Sequence, residues 1–153
     1  MEIKKTDQAG LDFLAKEEGL VLHPYLDSIG VPTIGIGSTY YENGNRVRMV
    51  DPPITKERAF ELFSNVLESY EKTVWSITRD DINQHQFNAL VSLCFNIGAG
   101  NFKGSTVVKK VNANPADPTI RKAFEMWQNA GKKKGILLAR RKREADLYFS
   151  LSV

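Results

Sequence analysis

The sequence predicts an α+β chain, with a small antiparallel sheet near the N-terminus, a larger helical part after it, and one long helix joining the two. Three observations predict this. Between Leu20 and Gly37 two strand-like runs flank the turn cluster Asp27-Ser28-Ile29-Gly30. After Asp51-Pro52-Pro53 the apolar pattern changes to helical spacing and keeps it to the end. The first helical stretch past that break covers about 20 residues from Thr55, enough to reach ~30 Å and link two lobes.

The elements follow in order. Thr6 or Asp7 is placed to cap a first helix that runs to about Glu18, where Gly19 ends it. Leu11, Leu14, Ala15 and Glu18 share one helical face, so an acid takes the last place of an apolar stripe. Its neighbour Glu17 points elsewhere, on the side of Phe13, and only Glu18 is expected to be partly desolvated. The runs LVLHPYL and VPTIGIG then read as a hairpin. Gly35 and Gly37 leave one face of its second strand without side chains, a mark of close approach by a ligand or backbone. Asn43-Gly44 signals a further turn that returns the chain through Arg46 and Val47.

In the long helix Ala59, Phe63, Val66, Leu67, Tyr70 and Val74 form the expected buried stripe, with Thr55 as cap. Asn83 starts a central helix that is apolar nearly all round after Phe87 and is stopped by Gly98 and Gly100. Phe102 and Ser105 open a short helix containing Val107, Val108 and Val111. Asp117 caps another, with Pro118 at its first position and Ile120, Ala123, Phe124 and Trp127 facing the core. Gly131 to Gly135 is a loop, and a basic helix runs from Ile136 to about Leu151. The division this implies is a sheet lobe at about 19–53, a connecting helix at about 55–74, and a helical lobe at about 75–153 that also takes in the N-terminal helix, all within one catalytic domain.

At 153 residues, with 42% hydrophobic and 25% charged side chains, the chain can bury a real core and does not resemble a disordered segment. No apolar run approaches the ~18 residues of a membrane span, and the N-terminus lacks a signal-peptide pattern, so synthesis in the cytoplasm is expected. The single Cys94 excludes an internal disulfide and reads as a core residue, and two histidines make a metal site unexpected. Trp75 and Trp127 are expected to pack in cores. Net charge is +3, and the excess is local: Lys132, Lys133, Lys134, Arg140, Arg141, Lys142 and Arg143 crowd together. This cluster is read as a solvated helix face with its loop in preference to a dedicated polyanion site.

Nucleotide-binding, zinc-protease and serine-hydrolase signatures are all missing. Two carboxylates in contrasting surroundings are what glycoside cleavage requires, one held protonated to donate to the leaving oxygen and the other ionised. Glu18, ending an apolar stripe at the negative end of a helix dipole, suits the first role because both conditions disfavour the charged form. Asp27, in a polar turn, suits the second, and Thr33 across the hairpin offers a hydroxyl to hold water. The nine-residue spacing from Glu18 to Asp27 permits the separation such a pair needs but does not enforce it.

The stretch from Glu18 to Gly37 closely resembles the active-site segment of the phage lysozyme (endolysin, muramidase) family of T-even and lambdoid phages. The family pattern E-G-(x)7-D-(x)5-T-I-G-x-G matches at Glu18-Gly19, Asp27 and Thr33 to Gly37. FNIGAGNFKGST, from Phe95 to Thr106, resembles the family's central-helix exit, and the run from Trp127 through Arg140, Arg141 and Glu144 resembles its C-terminal signature. The resemblance implies a lysozyme-like fold and a hydrolase that cuts peptidoglycan between N-acetylmuramic acid and N-acetylglucosamine, with inversion and no cofactor or metal. Glu18 would be the general acid, and Asp27 and Thr33 would hold or activate the attacking water. Thr39, Phe95 and Ser105 would contact substrate. Arg140 would pair with the catalytic glutamate, a role for which Arg141 is the alternative, and such a cation favours the ionised form, opposing the other two influences on Glu18.

The implied setting is a monomer made in the host cytoplasm that reaches the wall after a holin-type lesion of the membrane, without nucleic acid or stable membrane association. Ser38 stands where many relatives carry histidine. A lytic transglycosylase on a similar fold would need one acid and no water-holding pair, so Asp27 and Thr33 disfavour it. Intact Glu18, Asp27 and Thr33 likewise argue against a non-catalytic wall-binding protein, and a nucleic-acid-binding helical protein would leave the hairpin unexplained.

Overall fold

A computed structural model describes residues 3–151. The elements are α1 (Gln8–Glu18), β1 (Val21–Leu26), β2 (Pro32–Gly35), α2 (Lys56–Ile77), α3 (Gln84–Ile97), α4 (Ala99–Lys103), α5 (Thr106–Ala113), α6 (Ile120–Glu125) and α7 (Leu138–Phe149). The chain is mainly helical with one two-stranded antiparallel sheet, the expected α+β class. It divides into two units, Leu11–Glu68 and Met1–Gly10 with Ser69–Val153, and the boundary cuts through both α1 and α2.

In the unit from Leu11 to Glu68, β1 and β2 pair with Tyr25 opposite Thr33 and Leu26 opposite Pro32, and an irregularity lies between Val21 and Tyr25. Beyond β2 the chain turns sharply: Ile34 and Ser38 exchange backbone hydrogen bonds at 2.9 and 3.0 Å. Gly35 and Gly37 both have positive φ, at 69° and 68°. Gly35 is therefore the last residue of β2 and Gly37 lies in the turn beyond it, and the two do not form a bare strand face, because their φ values lie where side chains are strained. At Gly35 a Cβ would also sit 3.3 Å from the Ala59 side chain on α2, so the strand end packs directly on the helix.

A second hairpin follows, with Tyr40 bridged to Arg46 and the Val47 amide donating to the Thr39 carbonyl at 2.9 Å. Its turn is the expected Asn43-Gly44. Ile34, Val47 and Leu62 form one buried cluster of this unit, with Tyr41 and Ile54 packed against it. Thr55 caps α2 by accepting from the Arg58 amide at 3.0 Å. Ala59, Phe63, Leu67 and Val74 are buried as expected, but Val66 is 37% exposed and Leu62 is buried in its stead. The sheet cluster of Ile34 and Val47 covers Leu62 and widens the buried arc of the helix at that level.

Arg58 reaches Glu42 with both terminal nitrogens, at 2.5 and 2.7 Å. Those hydrogen bonds lower the Glu42 carboxyl from its ordinary 4.5 to about 2. Both side chains are more than a third exposed, so solvent screening limits the pair to ~0.2–1 kcal/mol. Its folded value lies below the unfolded one, so this contribution is present above 4.5 and fades as pH falls toward about 2. Glu42→Gln should accordingly lower the melting temperature slightly near neutral pH and leave it unchanged at about pH 2, as paired thermal melts would show.

In the second unit Asn83 caps α3 through a capping box with Gln86, and Gly98 ends the helix at φ 91°. Gly100, expected as a second stop, instead lies inside α4. Residues from Phe87 to Cys94 are all buried, so α3 is the central helix of this unit. It packs along α7, which also packs on α6. Burial pushes the Cys94 thiol up to about 12, as suits a core residue. Asp117 acts one turn ahead of α6, where its Oδ1 accepts from the amide and hydroxyl of Thr119 at 2.8 and 2.7 Å. Trp75 and Trp127 are both half-buried, and the Lys4 ammonium sits 4.7 Å from the centre of the Trp75 ring.

Candidate active site

The expected site residues begin at a helix end. Glu18 is the last residue of α1, and the following Gly19 amide closes the helix on the Ala15 carbonyl at 2.8 Å. Gly19 has φ 90°, which lets the chain leave the helix and enter β1 two residues later. Asp7 caps the opposite end by accepting from the Gly10 amide at 3.1 Å. Leu14 is fully buried, and Glu18 is half-buried as its place on that face predicts. Glu17 and Phe13 are half-buried too, so the contrast expected between the two glutamates is not one of exposure.

Asp27 is fixed by the hairpin turn. Its Oδ1 accepts two backbone amides, from Ile29 and Val31, each at 2.9 Å. Its own amide donates to the Val31 carbonyl at 3.0 Å. All the turn's bonds to this side chain fall on Oδ1, and Oδ2 has no protein hydrogen bond among the described residues.

Thr33 is only 3% exposed, and its hydroxyl donates to the same Val31 carbonyl at 2.9 Å. One carbonyl thus holds both residues: Val31 O accepts the Asp27 amide and the Thr33 hydroxyl together. The register adds a second constraint. Thr33 lies opposite Tyr25, and Asp27 follows Tyr25 by two, so both side chains leave the same face of the hairpin as diagonal neighbours.

This arrangement has a definite chemical capacity. The Thr33 proton is already committed, so its oxygen can only accept, and Asp27 Oδ2, when ionised, also only accepts. A water lodged between them would give one hydrogen to each and turn a lone pair outward. The role of the Val31 carbonyl was not visible in the sequence, since any residue type supplies one.

Thr39 is half-buried and lines a groove of about 410 Å³ with Val31, Pro32, Arg46, Val47, Arg48 and Met49. Ser38 carries a buried hydroxyl with no hydrogen-bond partner among the described residues.

Phe95, Ser105 and Arg140 belong to the second unit. The Phe95 ring meets Tyr70 edge to face at 5.2 Å. Ser105 is buried and caps α5, donating to the Phe102 carbonyl at 2.7 Å and accepting from the Val108 amide at 3.2 Å. That capping duty accounts for a serine at this position without any substrate. Arg140 and Arg141 are not part of a solvated basic face: they are 8% and 0% exposed. The cause is Glu144, itself fully buried, which bonds Arg140 Nε at 3.2 Å, the Ser92 hydroxyl at 2.5 Å and the Arg141 guanidinium.

Arg141 further donates to the Trp127 carbonyl at 2.8 Å and to the Asn96 side chain. Burial pushes the Glu144 carboxyl up, against the pull of the two guanidiniums and the Ser92 hydroxyl. The spacing of Arg140 and Arg141 to Glu144, four and three residues along one helix, was the signal available in the sequence. Among the described residues no cluster of histidine, cysteine or acidic side chains could hold a metal.

A small two-stranded sheet on a mainly helical chain, with a carboxylate held in its hairpin, defines a lysozyme-like protein. Residues 15–144 match the phage lysozyme family model, and the chain belongs to that family. It is 43% identical to the endolysin of Salmonella phage P22 over 141 residues, covering 92% of this chain and 95% of that one. A solved structure of a mutant P22 lysozyme superposes with TM-score 0.87 at 40% identity, covering 95% of this chain and 99% of that one. A SAR-endolysin of Enterobacteria phage P21 is 32% identical over 132 residues, 85% of this chain and 76% of that one.

Proposed function

We propose that the chain is an endolysin of the muramidase type, hydrolysing the β-1,4 bond between N-acetylmuramic acid and N-acetylglucosamine in peptidoglycan with inversion. The observation that carries this is the joint anchoring of Asp27 and Thr33 on the Val31 carbonyl, which leaves two acceptors on one face of the hairpin. Glu18 gives its proton to the glycosidic oxygen as the bond from the muramic anomeric carbon breaks. The water held by Asp27 and Thr33 attacks that carbon from the opposite side, and Asp27 takes its proton. Inversion requires ~6.5–9.5 Å between the two carboxyls so that the water fits. Thr39 and Phe95 contact the glycan in this reading, Ser105 acts through its cap, and Arg140 supplies positive charge to the catalytic glutamate. The chain works as one catalytic domain and as a monomer, with no cofactor.

Cell lysis by such an enzyme follows its passage from the host cytoplasm to the wall through a holin-type lesion. Among the described residues no helix is long and apolar enough to cross a membrane.

Thr33→Val is the most selective probe of the water site. The Val31 carbonyl keeps its bond from the Asp27 amide, so the fold should lose no more than ~1.5 kcal/mol. Turnover should fall about 10²-fold, because a loosely held water leaves its attack geometry. Unchanged turnover would remove Thr33 from the mechanism. The reading as a whole is tested by digesting purified peptidoglycan and weighing the fragments. Reducing muramic ends are expected. Anhydromuramic ends would indicate a transglycosylase, and no fragments at all a non-catalytic protein.

A further inference from the structure

The fold splits the basic cluster near the end of the chain into two parts. From Met126 to Arg143 the sequence carries no aspartate or glutamate. Arg140 and Arg141 turn inward to the buried Glu144. Lys132, Lys133 and Lys134 do the opposite: all three are exposed, and none has an ion pair among the described residues.

These lysines sit on a braced loop. Ala130 and Lys133 exchange backbone hydrogen bonds, both at 3.0 Å, around the two-residue turn Gly131-Lys132. The Gly135 amide donates to the Asn129 side chain and the Leu137 amide to the Gln128 carbonyl, each at 2.8 Å. The root is tied to α7, since the Trp127 carbonyl accepts from Arg141 Nε. The backbone is thus held without help from the three ammonium groups. Large apolar side chains flank the same clasp. Met126, two residues before Gln128, is 64% exposed, and Ile136, beside Leu137, is 56% exposed. Three lysines alone, each a point charge, suit any phosphate-rich polymer. Met126 and Ile136 gain nothing from a hydrated polymer, but they leave water on entering the boundary between lipid headgroups and acyl chains. Lysine stems are long enough to keep their charge at the phosphates while the apolar groups go deeper.

We infer that the loop from Met126 to Leu137 is a docking surface for an anionic phospholipid bilayer. Lys132, Lys133 and Lys134 meet the lipid phosphates, and Met126 and Ile136 enter the headgroup boundary. The binding is peripheral and reversible, because three lysines and two apolar side chains fall short of a stable anchor. It does not depend on which bond the enzyme cuts. On the proposed route from cytoplasm to wall, such a surface collects the chain at the membrane where the lesion forms.

The test is sedimentation of the full chain with vesicles at low salt. One set holds equal parts of phosphatidylglycerol and phosphatidylcholine, the other phosphatidylcholine alone. The wild type should bind the first set only, and should leave it at about 1 M salt, where the Debye length is ~3 Å. Changing Lys132, Lys133 and Lys134 together to Gln should weaken binding about 10²-fold, roughly fivefold for each lysine. Lys16, Lys56 and Lys72 are exposed elsewhere, and changing those three to Gln gives the same net charge. That control should lose less than about threefold, since screening confines the attraction to charges near the surface. Met126→Ser with Ile136→Ser should weaken binding about tenfold at unchanged charge. The altered side chains are all exposed, so thermal melts of the variants should coincide with that of the wild type. No sedimentation with the anionic vesicles, equal sedimentation with both sets, or equal losses in the two triple variants would overturn the proposal. Full binding by the serine pair would make the partner a phosphate polymer and contradict a bilayer.

Discussion

Glu18→Gln should lower the turnover of peptidoglycan about 10³-fold and leave the melting temperature almost unchanged. General acids contribute about 10²–10⁴-fold, and glutamine keeps the size of the side chain while removing the transferable proton. Glu18 is half-buried at the end of α1, so the exchange opens no cavity. Glu17→Gln is the natural control. Glu17 is the adjacent residue, in the same last turn and also half-buried, so a general effect of helix-end electrostatics would appear in both variants. Only the Glu18 variant should lose activity. Equal losses in the two variants, or full activity in Glu18→Gln, would remove Glu18 from the role of acid.

The second large effect is on stability. Arg141→Met should destabilise the fold by ~3–5 kcal/mol, because it leaves a fully buried carboxylate with one of its two cations gone. The Trp127 carbonyl and the Asn96 side chain lose their guanidinium partner in the same change. Arg140 Nε and the Ser92 hydroxyl remain on Glu144, which places the expected cost toward the lower end of that range. For a chain of this size the melting temperature should fall about 10 °C. Pairing the change with Glu144→Gln should recover part of the loss, since the neutral amide no longer leaves a buried charge short of a cation and its oxygen can still accept from Arg140 and Ser92. A loss below ~1 kcal/mol in a urea titration of Arg141→Met would show that the buried Glu144 carboxylate does not depend on the Arg141 guanidinium.

What could be read from the sequence were features whose cause is local. The turn at Asp27 to Gly30, the Asn83 capping box and the helix stop at Gly98 each follow from side chains within a few residues of the event. The helical stripe at Leu14 follows from period alone. Of the two glycines, Gly35 ends the strand in close approach to Ala59 as expected, while Gly37 is a turn residue, because a bare strand face and a positive-φ turn leave the same mark in a sequence.

Arg140 and Arg141 were harder still. A run of basic residues suggests solvent, and Ser92, which shares Glu144 with them, comes from α3, about fifty positions earlier. The burial of Leu62 in place of Val66 has the same origin, since the sheet that covers it is distant in sequence. At the candidate site Asp27 and Thr33 could be named from the sequence as candidates. The link that joins them, the Val31 carbonyl, could not.

In the proposed mechanism a water held by Asp27 and Thr33 attacks opposite the departing sugar. The most direct measurement of it is the anomeric form of the muramic end at the instant of cleavage, followed by proton NMR on a short glycan substrate before mutarotation. The α anomer should appear first from the β-linked substrate, decaying afterwards to the equilibrium mixture. Initial formation of the β anomer, or of an anhydro ring with no hemiacetal signal, would contradict it.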